Sequence, residues 1–75
     1  MNYSEFLMHI DELLEQPAGT VRGDTRLRAI DGWDSLAIMS FMAMVDEQCQ
    51  CRLKPVEIAK CETIDHLYAL VAVCQ

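Results

Sequence analysis

The side chain best placed to do chemistry is Ser35. It follows Asp34, precedes Leu36, and opens a long apolar stretch. A serine nucleophile would need a base within hydrogen-bond reach, an acid to orient that base, and an oxyanion hole. The histidines, His9 and His66, lie in other segments, and no G-x-S-x-G elbow surrounds Ser35. Both read as ordinary surface or boundary residues, so no catalytic residue is assigned. Taken alone, the Asp34-Ser35 pair has an ordinary explanation: either residue can cap the helix that follows.

Four cysteines, Cys49, Cys51, Cys61 and Cys74, are the other reactive groups. A disulfide framework needs an exported chain. The first residues, MNYSEFLMHIDELL, have no basic leader and place acids within the apolar stretch, unlike a signal peptide. A zinc site needs paired ligands, but one residue separates Cys49 from Cys51 and the others are scattered. The expectation is reduced cysteines acting as small hydrophobes in a cytoplasmic protein, with no metal.

The elements that would position Ser35 follow from the apolar spacing. Phe6, Ile10, Leu13 and Leu14 fall on one helical face, predicting a helix over about Ser4 to Gln16. Ser4 is placed to cap it, Tyr3 and Met8 to staple its start, and Glu5 to meet its positive end. Pro17 and Gly19 are expected to stop it. A connection from Pro17 to Asp34 has no sustained period, and Val21, Leu27, Ile30 and Trp33 are its apolar anchors. From Ser35 to about Gln48 a second helix buries Ile38, Phe41, Met42, Val45 and Cys49, while Leu36, Met39 and Ala43 make a second apolar row. A helix this apolar either sits deep in a core or offers a face to a partner.

Pro55 suits the first position of a short helix carrying Val56, Ile58 and Cys61. Thr63 then caps a final helix built on Ile64, Leu67, Tyr68 and Val71. No stretch alternates with period two. The predicted fold is all-α: three main helices, one short helix, and a long loop between the first two main helices, in one domain over residues 1–75.

Composition narrows the function. At 75 residues and 52% hydrophobic, the chain is an ordered small domain without room for a two-lobed cleft, so a self-contained enzyme is not expected. A net charge of −6 argues against nucleic acid and against anionic membranes. The longest nearly apolar run, Leu36 to Val45, is too short to span a bilayer.

The segment Ile30-Asp31-Gly32-Trp33-Asp34-Ser35-Leu36, followed by an apolar helix, resembles the attachment motif of the acyl carrier protein family. The likeness continues in Leu53-Lys54-Pro55-Val56-Glu57-Ile58, similar to the family's short third helix, and in Thr63-Ile64-Asp65-His66-Leu67, similar to the opening of its last. It covers Phe6 to Val71. The resemblance implies a four-helix carrier bundle in which Ser35 bears a 4′-phosphopantetheine arm whose thiol holds an acyl group as a thioester. A phosphopantetheinyl transferase would add the arm from coenzyme A, with Asp34 touching that enzyme or its metal. Acyl-loading and acyl-transfer enzymes would then visit a monomeric carrier.

Two departures bear on the pathway. Carriers of primary fatty acid synthesis have an acid-rich second helix, but here the outward row reads Ala37, Ser40 and Ala43, with acids returning at Asp46 and Glu47. Partner recognition is therefore expected from Leu36, Met39, Ala43, Glu47 and Val56. Trp33 stands where many carriers have a small residue, a feature of freestanding carriers of specialised pathways. The lipid, polyketide or polysaccharide-modifying reading leads on these grounds. A peptidyl carrier and a small acidic adaptor without a prosthetic group are the alternatives. Phe41, Met42, Val45, Leu53, Ile58, Cys61 and Ile64 are the residues expected to line any shelter for cargo.

Overall fold

The computed structural model describes residues 1–74. Within these residues four helices, α1 (Tyr3–Leu13), α2 (Ser35–Cys49), α3 (Pro55–Ala59) and α4 (Ile64–Cys74), enclose one core. The loop between α1 and α2 contains a 3-10 turn at Leu27–Ala29. Among the described residues there is no strand, only an isolated bridge between Arg26 and Thr63. The all-α expectation of three longer helices and a short one is met.

The ends of α1 differ from expectation. Its cap is Asn2, whose Oδ1 accepts the Glu5 N–H at 2.8 Å. Asparagine caps as well as serine does, so the helix starts before Ser4 and takes in Tyr3. The expected staple gives way: the Tyr3 ring packs edge-on against Tyr68 at 5.1 Å, and Met8 is exposed. At the other end α1 stops at Leu13, ahead of Pro17 and Gly19. Glu15 turns the chain there with a left-handed φ of 58°.

Phe6 and Ile10 of α1, Phe41 and Val45 of α2, Ile58 of α3, and Ile64, Leu67 and Val71 of α4 are all buried. Full burial of such side chains contributes about 1.5–3 kcal/mol each. Four of the rings form an edge-to-face series: Trp33 meets Phe41 at 6.0 Å, Phe41 meets Phe6 at 6.0 Å, and Phe6 meets Tyr68 at 5.2 Å. Trp33 therefore ties the end of the loop to α2 and, through Phe6, to α1.

The loop is held at both halves by hydrogen bonds that the sequence did not advertise. Asp11 is only 1% exposed. Its Oδ2 accepts the Gly19 N–H at 2.9 Å and its Oδ1 accepts the Val21 N–H at 3.0 Å. Val21 is thereby drawn into the core. Further along, the first turn of α4 needs acceptors for its free N–H groups. The carbonyls of Thr25 and Gly23 accept from Ile64 and Asp65 at 3.1 and 2.9 Å. In return the Leu27 N–H donates to the Glu62 carbonyl at 2.9 Å. Gly23 has no side chain because one would overlap the Tyr3 hydroxyl and the Asp65 carboxylate. Those two are themselves bonded, Tyr3 donating to Asp65 Oδ1 at 2.7 Å, and this bond above all holds the Tyr3 phenol above its ordinary pKa.

The cysteines require a correction. Cys51 and Cys74 form a disulfide, with Cα atoms 6.0 Å apart, so two of the four thiols expected to be reduced are joined. The backbone explains how they meet. Gln50 ends α2 in a left-handed conformation at φ 49°, which reverses the chain and buries Cys51. The bond ties that turn to the last residue of α4.

Replacing Asp11 by alanine leaves the Gly19 and Val21 N–H groups without their acceptor. The expected loss is about 1–3 kcal/mol for each group that stays buried. Asp11→Asn restores little, because its amide must turn an N–H donor toward one of two donors. Urea unfolding checks this: a midpoint unchanged in Asp11→Ala contradicts the account of the loop.

Candidate functional site

Three local features place Ser35. Gly32 takes a left-handed φ of 89°, favoured by glycine, and its carbonyl accepts the Asp34 N–H at 3.0 Å. The chain thus turns sharply just before α2. Asp34 is the helix cap: it is extended, and its Oδ1 accepts the Ala37 N–H at 2.9 Å. Ser35 is the first residue of the helix proper and is exposed. Its hydroxyl makes no hydrogen bond among the described residues. Of the two residues able to cap, aspartate does it, and the serine is left over.

The positive end of the α2 dipole adds to this. Free N–H groups in the first turn favour a negative group beside them. An exposed, unbonded hydroxyl at such a position accommodates a phosphodiester with little desolvation. Cys61, by contrast, is biased toward its protonated form. Burial pushes its thiol up from the ordinary range, the Glu57 carboxylate adds to the effect, and the sulfur donates to the Glu57 carbonyl at 3.5 Å. A protonated thiol is a poor nucleophile toward a thioester.

The residues expected to meet partners separate clearly. Leu36 is 72% and Met39 66% exposed, and Ala43 and Glu47 are exposed on the same helical stripe of α2. Val56, on α3, is 58% exposed. Met42 is half-buried and packs on the core. Ala37 does not belong to the outward row where the sequence reading put it. It is 8% exposed, on the same face as Phe41.

A cavity of about 410 Å³ lies beside this junction, between the end of the long loop and α3. Trp33 and Ile38, on either side of Ser35 in sequence, form one wall, and Ile58 and Cys61 another. Of the seven residues expected to shelter cargo, Ile58 and Cys61 line this cavity. Phe41, Val45 and Ile64 are sealed in the core. The sequence reading also missed Arg26, Arg28 and Lys60 on its walls. The Arg-Leu-Arg alternation around buried Leu27 was the available signal.

The family model described as "Phosphopantetheine attachment site" matches residues 5–71. The chain belongs to this family. No curated protein and no solved structure matches it. Domains of this family carry covalently attached 4′-phosphopantetheine, and they are acted on by partner enzymes instead of catalysing reactions themselves. The carrier's α2 junction fits such a group: its hydroxyl is open and its cap is made elsewhere. No helix among the described residues is long and apolar enough to cross a membrane.

If Asp34 alone caps α2, the two neighbours respond differently to substitution. Asp34→Ala is expected to lose about 0.5–2 kcal/mol, and Asp34→Asn to recover most of it. Ser35→Ala is expected to change stability by a few tenths of a kcal/mol at most, since no bond is removed. Urea unfolding of the three variants decides it: a Ser35→Ala loss equal to that of Asp34→Ala contradicts the assignment.

Proposed function

We propose that this chain is an acyl carrier protein and that Ser35 bears the 4′-phosphopantetheine arm. The observation that carries the reading is the free, exposed Ser35 hydroxyl at the head of α2, next to a cap that does not need it. When bound, the arm supplies a terminal thiol that holds the acyl group as a thioester. What the chain itself does is narrower. In the site of a separate transferase, Ser35 Oγ gives its proton to that enzyme's base and bonds to the pantetheine-side phosphorus of coenzyme A, while the pyrophosphate linkage breaks and adenosine 3′,5′-bisphosphate leaves. Asp34 holds the helix start through Oδ1 and, being exposed, offers Oδ2 to that enzyme or its metal. The α2 dipole favours the resulting negative charge.

Acyl-loading and acyl-transfer enzymes dock, in this reading, on the row of Leu36, Met39 and Ala43, with Glu47 and Val56 at its margins. Exposed Leu36 and Met39 suit it, since methionine adapts to several partners. A carrier that visits several enzymes works as a monomer. The apolar stripe on α2 favours a specialised lipid, polyketide or polysaccharide-modifying pathway over the housekeeping fatty acid route. A coenzyme A donor favours a cytoplasmic place of work. The Cys51–Cys74 bond weighs the other way, because disulfides persist in oxidising compartments.

Incubation with coenzyme A and a broad-range phosphopantetheinyl transferase, followed by intact-mass measurement, tests the reading. The chain is expected to gain one phosphopantetheine, and Ser35→Ala none. An unchanged mass, or a gain that survives Ser35→Ala, overturns it.

A further inference from the structure

The cavity beside Ser35 has a charge opposite to that of the molecule. The chain carries −6, yet Arg26, Arg28 and Lys60, three of its six basic residues, line this one space against one acid, Glu62. None of the three cations makes an ion pair or a side-chain hydrogen bond among the described residues. They are exposed, whereas the apolar lining is buried at Leu27 and Ile58 and half-buried at Trp33 and Ile38. The cavity is therefore apolar at its base and cationic at its rim. The 3-10 turn produces one side of that arrangement by sending Leu27 inward between Arg26 and Arg28. The end of α3 produces the other, with Ile58 buried and Lys60 at the helix terminus.

Resting on the assignment of Ser35 as the attachment point, the geometry points to a cargo class: this cavity receives the carrier's own tethered acyl group, and that group ends in a carboxylate. Its methylenes lie on Ile58, Ile38 and Trp33, and its carboxylate meets Arg26, Arg28 and Lys60. Two observations favour the tethered group over a partner's acidic segment. Trp33 and Ile38 bracket Ser35, so an arm joined there starts beside the cavity, and by folding back it brings its acyl end within reach of it. The volume, about 410 Å³, is at the small-molecule end of binding sites and suits a short chain. Exposed ion pairs are individually weak. Tethering supplies what they lack, because an intramolecular ligand is present at an effective concentration in the millimolar range.

The test loads the full chain with adipyl or hexanoyl phosphopantetheine, six carbons each, from the matching coenzyme A thioesters. Intact mass confirms loading, and amide and indole NMR shifts are read at Leu27, Trp33, Ile58 and Lys60. The adipyl form is expected to shift these signals at least twofold more than the hexanoyl form. The excess is expected to vanish at high salt, and in an Arg28→Glu, Lys60→Glu variant that still loads fully. Equal shifts for the two cargoes, or an adipyl excess that survives charge reversal, overturn the inference and leave the cations to an acidic partner surface. No mass gain at all overturns the attachment at Ser35 first, and this inference with it.

Discussion

One hydrogen bond, from the Ala37 N–H to Asp34 Oδ1 at 2.9 Å, organises the start of α2, where Ser35 stands. A helix start must find acceptors for its first N–H groups, and a serine there is ordinarily spent on that task. Because Asp34 meets the need, Ser35 sits one residue inside the helix with its oxygen facing solvent. Burial of one face fixes the rotation of α2. Ala37, Phe41 and Val45 are turned into the core, and Leu36 and Met39 are consequently turned out. The cap frees the serine, and the buried face leaves the apolar row outside.

The cap would be useless on a loose loop. The connection before α2 is long, and its order comes from α1 and α4 more than from its own sequence. Asp11 gathers the first half through two backbone N–H groups. The unsatisfied start of α4 gathers the second half through the carbonyls of Gly23 and Thr25. Trp33 closes the end of the loop onto Phe41. Each contact satisfies a polar group that burial would otherwise penalise, or buries a large ring. The disulfide between Cys51 and Cys74 closes the opposite side, where the turn after α2 meets the end of α4. In the simplest chain-entropy account, a cross-link over a loop of this size contributes about 3 kcal/mol.

Much of this is legible in the amino-acid sequence, for identifiable reasons. The three longer helices were readable because apolar spacing of three and four residues persists in each. Pro55 and Thr63 were readable because a first-turn proline and a hydroxyl cap act within one helical turn. What stayed hidden depended on distant partners. Asp11 looks like any acid on an amphipathic helix until the loop folds over it. Asn2 and Ser4 are equally good caps, and local sequence does not rank them. Ala37 has the size and polarity to face either way. Cys51 and Cys74 are far apart in sequence and meet only because Gln50 adopts a left-handed turn. The cationic rim of the cavity joins the loop to the end of α3, a pairing no periodicity reports.

The central claim is that the Ser35 oxygen is the tether. Phosphorus-to-proton correlation NMR on the pantetheinylated chain tests it most directly, because it reports the bonded oxygen without a mutation. The account predicts coupling from the phosphodiester phosphorus to the Ser35 β-protons. Coupling to the β-protons of any other residue, Ser4 and Ser40 included, would contradict it.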